Sequence, residues 1–187
     1  TSDIVKTIVA NVDKKPIKNE SNPFESPAAK KWKPGMCIGA GNRYRLDKAL
    51  AEGGAGVLYK GYDTKLNRVV ALKQLLPHLE AVGSNKKRFV EEAQSLAKLN
   101  SPFVVQIYDI IDTAGCWLVM EFLPNGDLMG LMEREKTIAL PKAKEIVLDV
   151  LMGLKEAHSA GFVHRDVKPH NILSVSYTHL RAHETTS

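Results

Sequence analysis

The chain has 187 residues, 44% of them hydrophobic and 25% charged, a balance that excludes fibrous and strongly charged disordered classes for most of its length. No stretch of 18 or more apolar residues is present and the first residues lack the apolar core of an export signal, so a cytoplasmic location without membrane contact is expected. The net charge of +5 is uneven, with seven lysines against four acidic residues in the first 34 positions, and no basic stripe with interleaved aromatics follows, so no nucleic-acid partner is expected.

Residues 1–36 are rich in Lys, Asn, Pro and Ser and poor in aromatics, which predicts a disordered leader. From Tyr44 onward, short β-type runs over 44–51, 56–62 and 68–75, separated by Gly53-Gly54 and by 63–67, predict a three-stranded meander. A helix follows, with Ser84 or Asn85 as its cap and either Phe89, Ala93, Leu96 and Leu99 or Val90, Ala93 and Ala97 at helical spacing, and Pro102 ends it. Two further apolar runs, 104–111 and 116–123, are joined by Asp112-Thr113-Ala114-Gly115 and predict a hairpin. After Pro124-Asn125-Gly126 the pattern turns helical, with a short helix over 128–133 and a long one over 142–160. The long helix places Ile146, Val147, Val150, Leu151, Leu154 and His158 on one face, with Pro141 near its first turn and Gly161 placed to end it. The fold class expected is α+β: a five-stranded antiparallel sheet with one helix, followed by the first helices of a second lobe. Cys37 and Cys116 have no zinc-site spacing and are expected as buried, reduced thiols.

Three segments carry the kind of chemistry that phosphoryl transfer needs, namely a phosphate cradle, a cation, a base and metal ligands. Glu52-Gly53-Gly54-Ala55-Gly56 lies between two strands, where glycines let backbone N–H groups approach phosphates, although alone it is also the pattern of a plain hairpin turn. Lys73 ends the apolar run Val70-Ala71-Leu72. Alone it would read as solvated, but Glu92, nineteen positions on, is expected on the inner part of the helix as the carboxylate that a buried ammonium requires. His164-Arg165-Asp166-Val167-Lys168-Pro169-His170-Asn171 puts a carboxylate, a lysine two positions on and an amide five positions on into one loop.

In this order the three constellations resemble the protein kinase family over roughly residues 44–173. The resemblance implies a kinase N-lobe over 37–123 and the start of a C-lobe, with its catalytic loop, over 124–174. It implies ATP and Mg2+ as cofactors and protein substrates phosphorylated on serine or threonine. By the same resemblance Gly53 and Gly56 match the second and third glycines of the phosphate-covering loop that includes Ala51, Glu52 and Gly54. Leu58 and Ala71 would pack on adenine, Lys73 would hold the α- and β-phosphates, and Glu92 would orient Lys73. Met120 would be the gatekeeper, Glu121 and Leu123 hinge residues, Asp127 the ribose carboxylate, and Leu173 a further ATP-binding residue. Asp166 would be the catalytic base, Lys168 the transition-state lysine and Asn171 a magnesium ligand. Lys168 also argues for serine/threonine specificity, and Arg165 for control by an activation loop.

The sequence departs from the family pattern in two places. Ala51 stands where the family has its first loop glycine, which bears on how closely the loop covers the phosphates. After Leu173 the expected Asp-Phe-Gly does not appear; the chain runs instead through Val175-Ser176-Tyr177-Thr178-His179-Leu180-Arg181-Ala182-His183-Glu184-Thr185, which is similar to a translated transposase-type sequencing adapter. Residues 175–187 are therefore expected to be an artefactual tail on a domain cut after its catalytic loop, and the fragment to be inactive. Two other readings remain open: a pseudokinase that binds ATP as a scaffold, and a small-molecule phosphotransferase sharing the Asp166 and Asn171 spacing. Sequencing the genomic locus tests the tail: genomic DNA should diverge from this chain near Leu173, and recovery of an intact tail followed by a stop codon would refute the adapter origin.

Overall fold

The computed structural model describes residues 4–7, 15–16, 32–53, 56–81, 83–113 and 115–175. They fall into two compact units, one of Ala10–Lys98 and Gln106–Phe122, the other of Thr1–Val9, Leu99–Val105 and Leu123–Ser187.

In the first unit, alternation of buried and exposed residues makes strands of β4 (Tyr44–Gly53), β5 (Gly56–Asp63) and β6 (Arg68–Leu75), and the hairpin of β7 (Ile107–Ile111) and β8 (Trp117–Glu121) completes the five expected strands. All pair antiparallel in the order β4-β5-β6-β8-β7. Two short strands, β2 (Lys15–Pro16) and β3 (Cys37–Ile38), add to the free edge of β4, making the sheet seven-stranded. Helix α1 (Pro77–Glu80) and helix α2 (Gly83–Ala97) follow β6, so Ser84 and Asn85 lie inside the first turn of α2.

One face of the sheet is a core of Tyr44, Leu46, Tyr59, Val70, Leu72, Trp117 and Val119. Trp32, from the segment expected to be a disordered leader, stacks edge-on against Trp117 at 5.3 Å between ring centroids and is half-buried. Among the described residues of that leader, β1 (Ile4–Thr7) and β2 are also strand, which its composition did not suggest; residues 1–3, 8–14 and 17–31 lie outside the described residues. Local composition is overridden there by the hydrogen bonds that a free strand edge offers. Period-two alternation corrects a second expectation: Ile38 faces the core and Cys37 faces solvent. Cys116 is buried as expected, and burial pushes its thiol up to about 11.

Asp63, at the end of β5, has no exposed surface. Its Oδ1 accepts from Arg43 Nε at 2.9 Å and from the backbone N–H groups of Lys65 and Leu66 at 3.1 and 3.2 Å, while its Oδ2 accepts from Arg43 Nη2 at 2.7 Å. Arg43 also reaches Asp109 of β7 at 3.4 Å, and the Tyr44 hydroxyl donates to the same Asp109 oxygen at 2.7 Å. The guanidinium of Arg43 holds the Asp63 carboxyl below its ordinary value, against the upward push of burial.

In the second unit, Asp127 caps helix α3 (Leu128–Glu135), its Oδ1 accepting from the Gly130 backbone N–H at 2.9 Å. Helix α4 (Leu140–Ser159) starts two residues before the expected helix. It ends as expected at Gly161, whose φ is +80°, with Phe162 N–H donating to the Ala157 carbonyl and Gly161 N–H to the His158 carbonyl, each at 2.9 Å. The buried residues of α4 are Ile146, Val150, Gly153 and Ala157; Ile146 and Val150 lie on the expected face and Leu154 packs against their cluster, whereas Val147, Leu151 and His158 are exposed. Gly153 sets that phase, because a Cβ there would stand 2.8 Å from the backbone oxygen of Phe103, so only a glycine lets the helix come this close to 99–105. Strand β1 pairs antiparallel with β9 (Ile172–Val175), and Ile172 packs with Ile146 and Val150.

The Asp63 cluster makes a prediction about acid stability. A carboxylate whose pKa is depressed on folding stabilises the fold above its unfolded pKa, and that contribution is lost as pH falls through the folded value. Asp63→Asn should cost roughly 1–3 kcal/mol at neutral pH, and the gap in melting temperature between the two forms should close as pH falls below the ordinary carboxylate value. A gap independent of pH would show that the charge of Asp63 is not what stabilises the cluster.

Candidate active site

Strand register brings one group of candidate residues together within the first unit. Leu58 lies opposite Lys73 across β5 and β6, and Ala71 opposite Met120 across β6 and β8. Since directly paired residues share a face and residues two apart return to it, Leu58, Ala71, Lys73 and Met120 all project from one face of the sheet. All four are buried, Lys73 with 2% exposure, and the Trp117 core occupies the other face. Glu121, the expected hinge residue, fixes its own backbone: its N–H donates to the Gln106 carbonyl at 2.9 Å, and its Oε2 accepts from the Gln106 N–H at 3.3 Å.

The glycine loop joins β4 to β5, with Gly53 paired to Gly56; Gly54 and Ala55 lie outside the described residues. Ala51 is buried, pairs with Leu58 and with Pro16 of β2, and Glu52 beside it is exposed. Gly56 has a steric reason to be glycine that the sequence did not reveal: a Cβ there would stand 2.1 Å from the Gln74 backbone oxygen.

Glu92 is not where its expected role would put it. Its side chain is exposed, and no ion pair joins it to Lys73 among the described residues. Phe89, one turn earlier on α2, faces the lysine instead, with the Lys73 ammonium 5.8 Å from the ring centroid. The helix is phased by Ala93 and Leu96, both 2% exposed, which leaves Glu92 at the edge of the buried stripe.

A separate group of candidate residues is the catalytic-loop sequence, which lies in the second unit. Asn171 has no exposed surface, and its Nδ2 donates to the Asp166 carbonyl at 2.9 Å and to Asp166 Oδ2 at 3.0 Å. Lys168 Nζ is 2.9 Å from the same Oδ2. Buried His164 closes the loop from the other end, its Nδ1 accepting the Asp166 N–H at 3.1 Å, and Arg165 takes a left-handed φ of +60° to make the turn. Burial pushes the Asp166 carboxyl up, but Lys168, Asn171 and His164 outweigh it and hold it below its ordinary value. Asp127 and Leu173 form an antiparallel bridge, and Leu123 is buried. His164 as a loop brace and the approach of His170 to Asp127 were both missed from sequence, since neither follows from spacing.

Within one loop, then, a carboxylate is fixed at both oxygen and backbone beside a cation and a buried amide. The protein kinase domain family matches residues 44–183. The chain belongs to the protein kinase family. Among bacterial relatives it is 40% identical over 136 residues to a probable serine/threonine-protein kinase, pknA2, of Bifidobacterium longum, covering 70% of this chain and 18% of that protein. It is 39% identical over 131 residues to the serine/threonine-protein kinase PknE of Mycobacterium tuberculosis, covering 70% of this chain and 23% of that one. The chain thus spans about a fifth of the length of the curated relatives it matches. A solved structure titled PpkA-294 apo form superposes with a TM-score of 0.68 at 19% identity, over 78% of this chain and 60% of that one, a likeness of fold.

The steric role of Gly56 is testable apart from nucleotide binding. Gly56→Ala should lower the stability of the nucleotide-free protein by about 1–3 kcal/mol through overpacking against β6. An unchanged melting temperature with weakened ATP binding would show that the glycine serves the phosphates alone.

Proposed function

We propose that this chain carries the nucleotide-binding and catalytic-loop parts of a protein serine/threonine kinase, which transfers the γ-phosphoryl group of ATP to serine or threonine hydroxyls of protein substrates. The observation that supports it most is the loop around Asp166: a carboxylate kept ionised and oriented, with Lys168 against one oxygen. In this reading Asp166 takes the proton of the substrate hydroxyl as it attacks, and Lys168 places positive charge where the transferred phosphoryl group gains negative charge. Lys73, on the same face as Leu58 and Ala71, holds phosphates, and the apolar pair flanks the adenine.

The residues fit a hard divalent cation at Asn171. The amide nitrogen of Asn171 is spent on Asp166, leaving Oδ1 buried with no hydrogen-bond partner, the oxygen donor that magnesium selects. Magnesium bound there would offset negative charge on the phosphates. Among the described residues no group of three His, Cys, Asp or Glu converges, so Asn171 is offered as one ligand only. No helix among the described residues is long and apolar enough to cross a membrane. Cytoplasmic location and a protein substrate belong to the proposal.

The test uses the full-length protein, with ATP binding and phosphorylation of serine, threonine and tyrosine peptides measured side by side. Asp166→Ala should lower kcat by about 10²–10⁴-fold while ATP still binds. Lys73→Met should also lower turnover, because the cation positions the phosphates. Ala51→Gly, which restores the family's loop glycine, should change KM for ATP by no more than about three-fold either way. Parent-level turnover in Asp166→Ala would remove the base assignment; ATP binding without phosphorylation of any peptide by the unmutated protein would favour the pseudokinase reading.

A further inference from the structure

His170 sits in the 3₁₀ turn Pro169–Asn171, and its Nδ1 stands 3.4 Å from Asp127 Oδ2. The other oxygen of Asp127 is taken by the Gly130 N–H at 2.9 Å, in the first turn of α3. The carboxylate therefore lies between a backbone donor of one element and an imidazole from the loop that carries Asp166 and Asn171. Backbone contacts fix the spacing of the two segments: Asp127 bridges to Leu173, and the Ser174 N–H donates to the Gly126 carbonyl at 3.1 Å. What these contacts leave free is rotation of the carboxylate about its own side-chain bond. The Gly130 N–H constrains one oxygen, and the imidazole constrains the second.

Neither group is sealed off, with 22% of the Asp127 side chain and 31% of the His170 side chain exposed. A carboxylate has about four acceptor positions, so after two contacts it can still accept from a hydroxyl that approaches from solvent. Holding it in one rotamer beforehand spares the ordering cost at binding, which is how an oriented acceptor gains affinity over a mobile one.

We infer that His170 is a positioning residue for the ribose of the nucleotide, acting through Asp127 by fixing the direction of its carboxylate. The inference rests on the reading of Asp127 as the ribose carboxylate. His170 touches neither phosphate nor substrate hydroxyl in this account, so its effect belongs in nucleotide affinity and not in the chemical step.

The experiment compares the full-length protein with its His170→Ala, His170→Asn and Asp127→Ala variants, using ATP, 2′-deoxy-ATP and 3′-deoxy-ATP as phosphoryl donors. His170→Ala should raise KM for ATP about three- to tenfold with kcat changed less than about twofold. His170→Asn, whose amide N–H can stand in for Nδ1–H, should recover most of that loss. The penalty should vanish with the analogue lacking the hydroxyl that Asp127 holds, because no group remains to be positioned. An equal penalty with all three donors, or none with ATP, overturns the inference. If Asp127→Ala discriminates between ATP and a deoxy analogue while His170→Ala does not, this inference alone falls; if Asp127→Ala does not discriminate either, the ribose assignment falls with it. Should His170→Ala fail to fold, His170→Phe, which keeps a ring and removes the donor, is put through the same series and judged by the same outcomes.

Discussion

The N-terminal sheet depends on one buried charge. Asp63 has no water to solvate it, so everything around it is arranged to do that work: two hydrogen bonds from Arg43, two backbone amides from the following turn, and the Arg68 Nε at 3.8 Å. Arg43 precedes β4, Asp63 ends β5, and Asp109 lies on β7, so the cluster ties the β4–β5 hairpin to β7 across a sheet whose middle holds Lys73. Register then does the rest. Once β5 and β6 are locked at Asp63 opposite Arg68, every later pair is fixed, and Leu58 must meet Lys73.

Asn171 plays the corresponding part in the second unit, with the opposite outcome. It too is a fully buried polar side chain, and its amide nitrogen organises local backbone by bonding Asp166 twice. Asp63 ends with all its needs met, whereas the Asn171 oxygen does not. A buried acceptor left open costs about 1–3 kcal/mol, a cost that the Asp63 carboxylate, with four hydrogen bonds, does not carry.

Much of this was legible in the sequence, for identifiable reasons. The five strands follow from period-two patterning and glycine-bearing turns, and Gly161 marks the end of α4 because only the left-handed conformation closes that helix. The loop from His164 to Asn171 is read by chemistry and order, without packing. The failures share a cause, which is that phase and docking are set by partners distant in sequence. Trp32 is one of two aromatics in a polar segment, and nothing local says that Trp117 awaits it. The inward face of α4 was only partly anticipated because a glycine carries no hydrophobic signal, although Gly153 decides how near the helix can come to Phe103. Burial at 56 and the approach of His170 to Asp127 were hidden in the same way.

Helix α2 shows the consequence of phase for function. Phe89 and Glu92 are three residues apart, about 60° around the helix axis, and the stripe made by Ala93 and Leu96 presents the ring and not the carboxylate to Lys73. On the other edge of the stripe Lys86 holds Asp112, at the β7–β8 turn, at 2.5 Å and Glu80 of α1 at 3.8 Å. Lys86 and Glu92 thus sit on opposite shoulders of one helix. A rotation that carried Glu92 inward would carry Lys86 outward, so the pairing of Glu92 with Lys73 and the pairing of Lys86 with Asp112 belong to different settings of α2. The Lys86 contacts are exposed ion pairs, each contributing about 0–1 kcal/mol. The phase of α2 is set by the burial of Ala93 and Leu96, whose partners are distant in sequence, and that is why a sequence that specifies the strand bearing Lys73 so clearly does not specify which side chain of α2 the lysine meets.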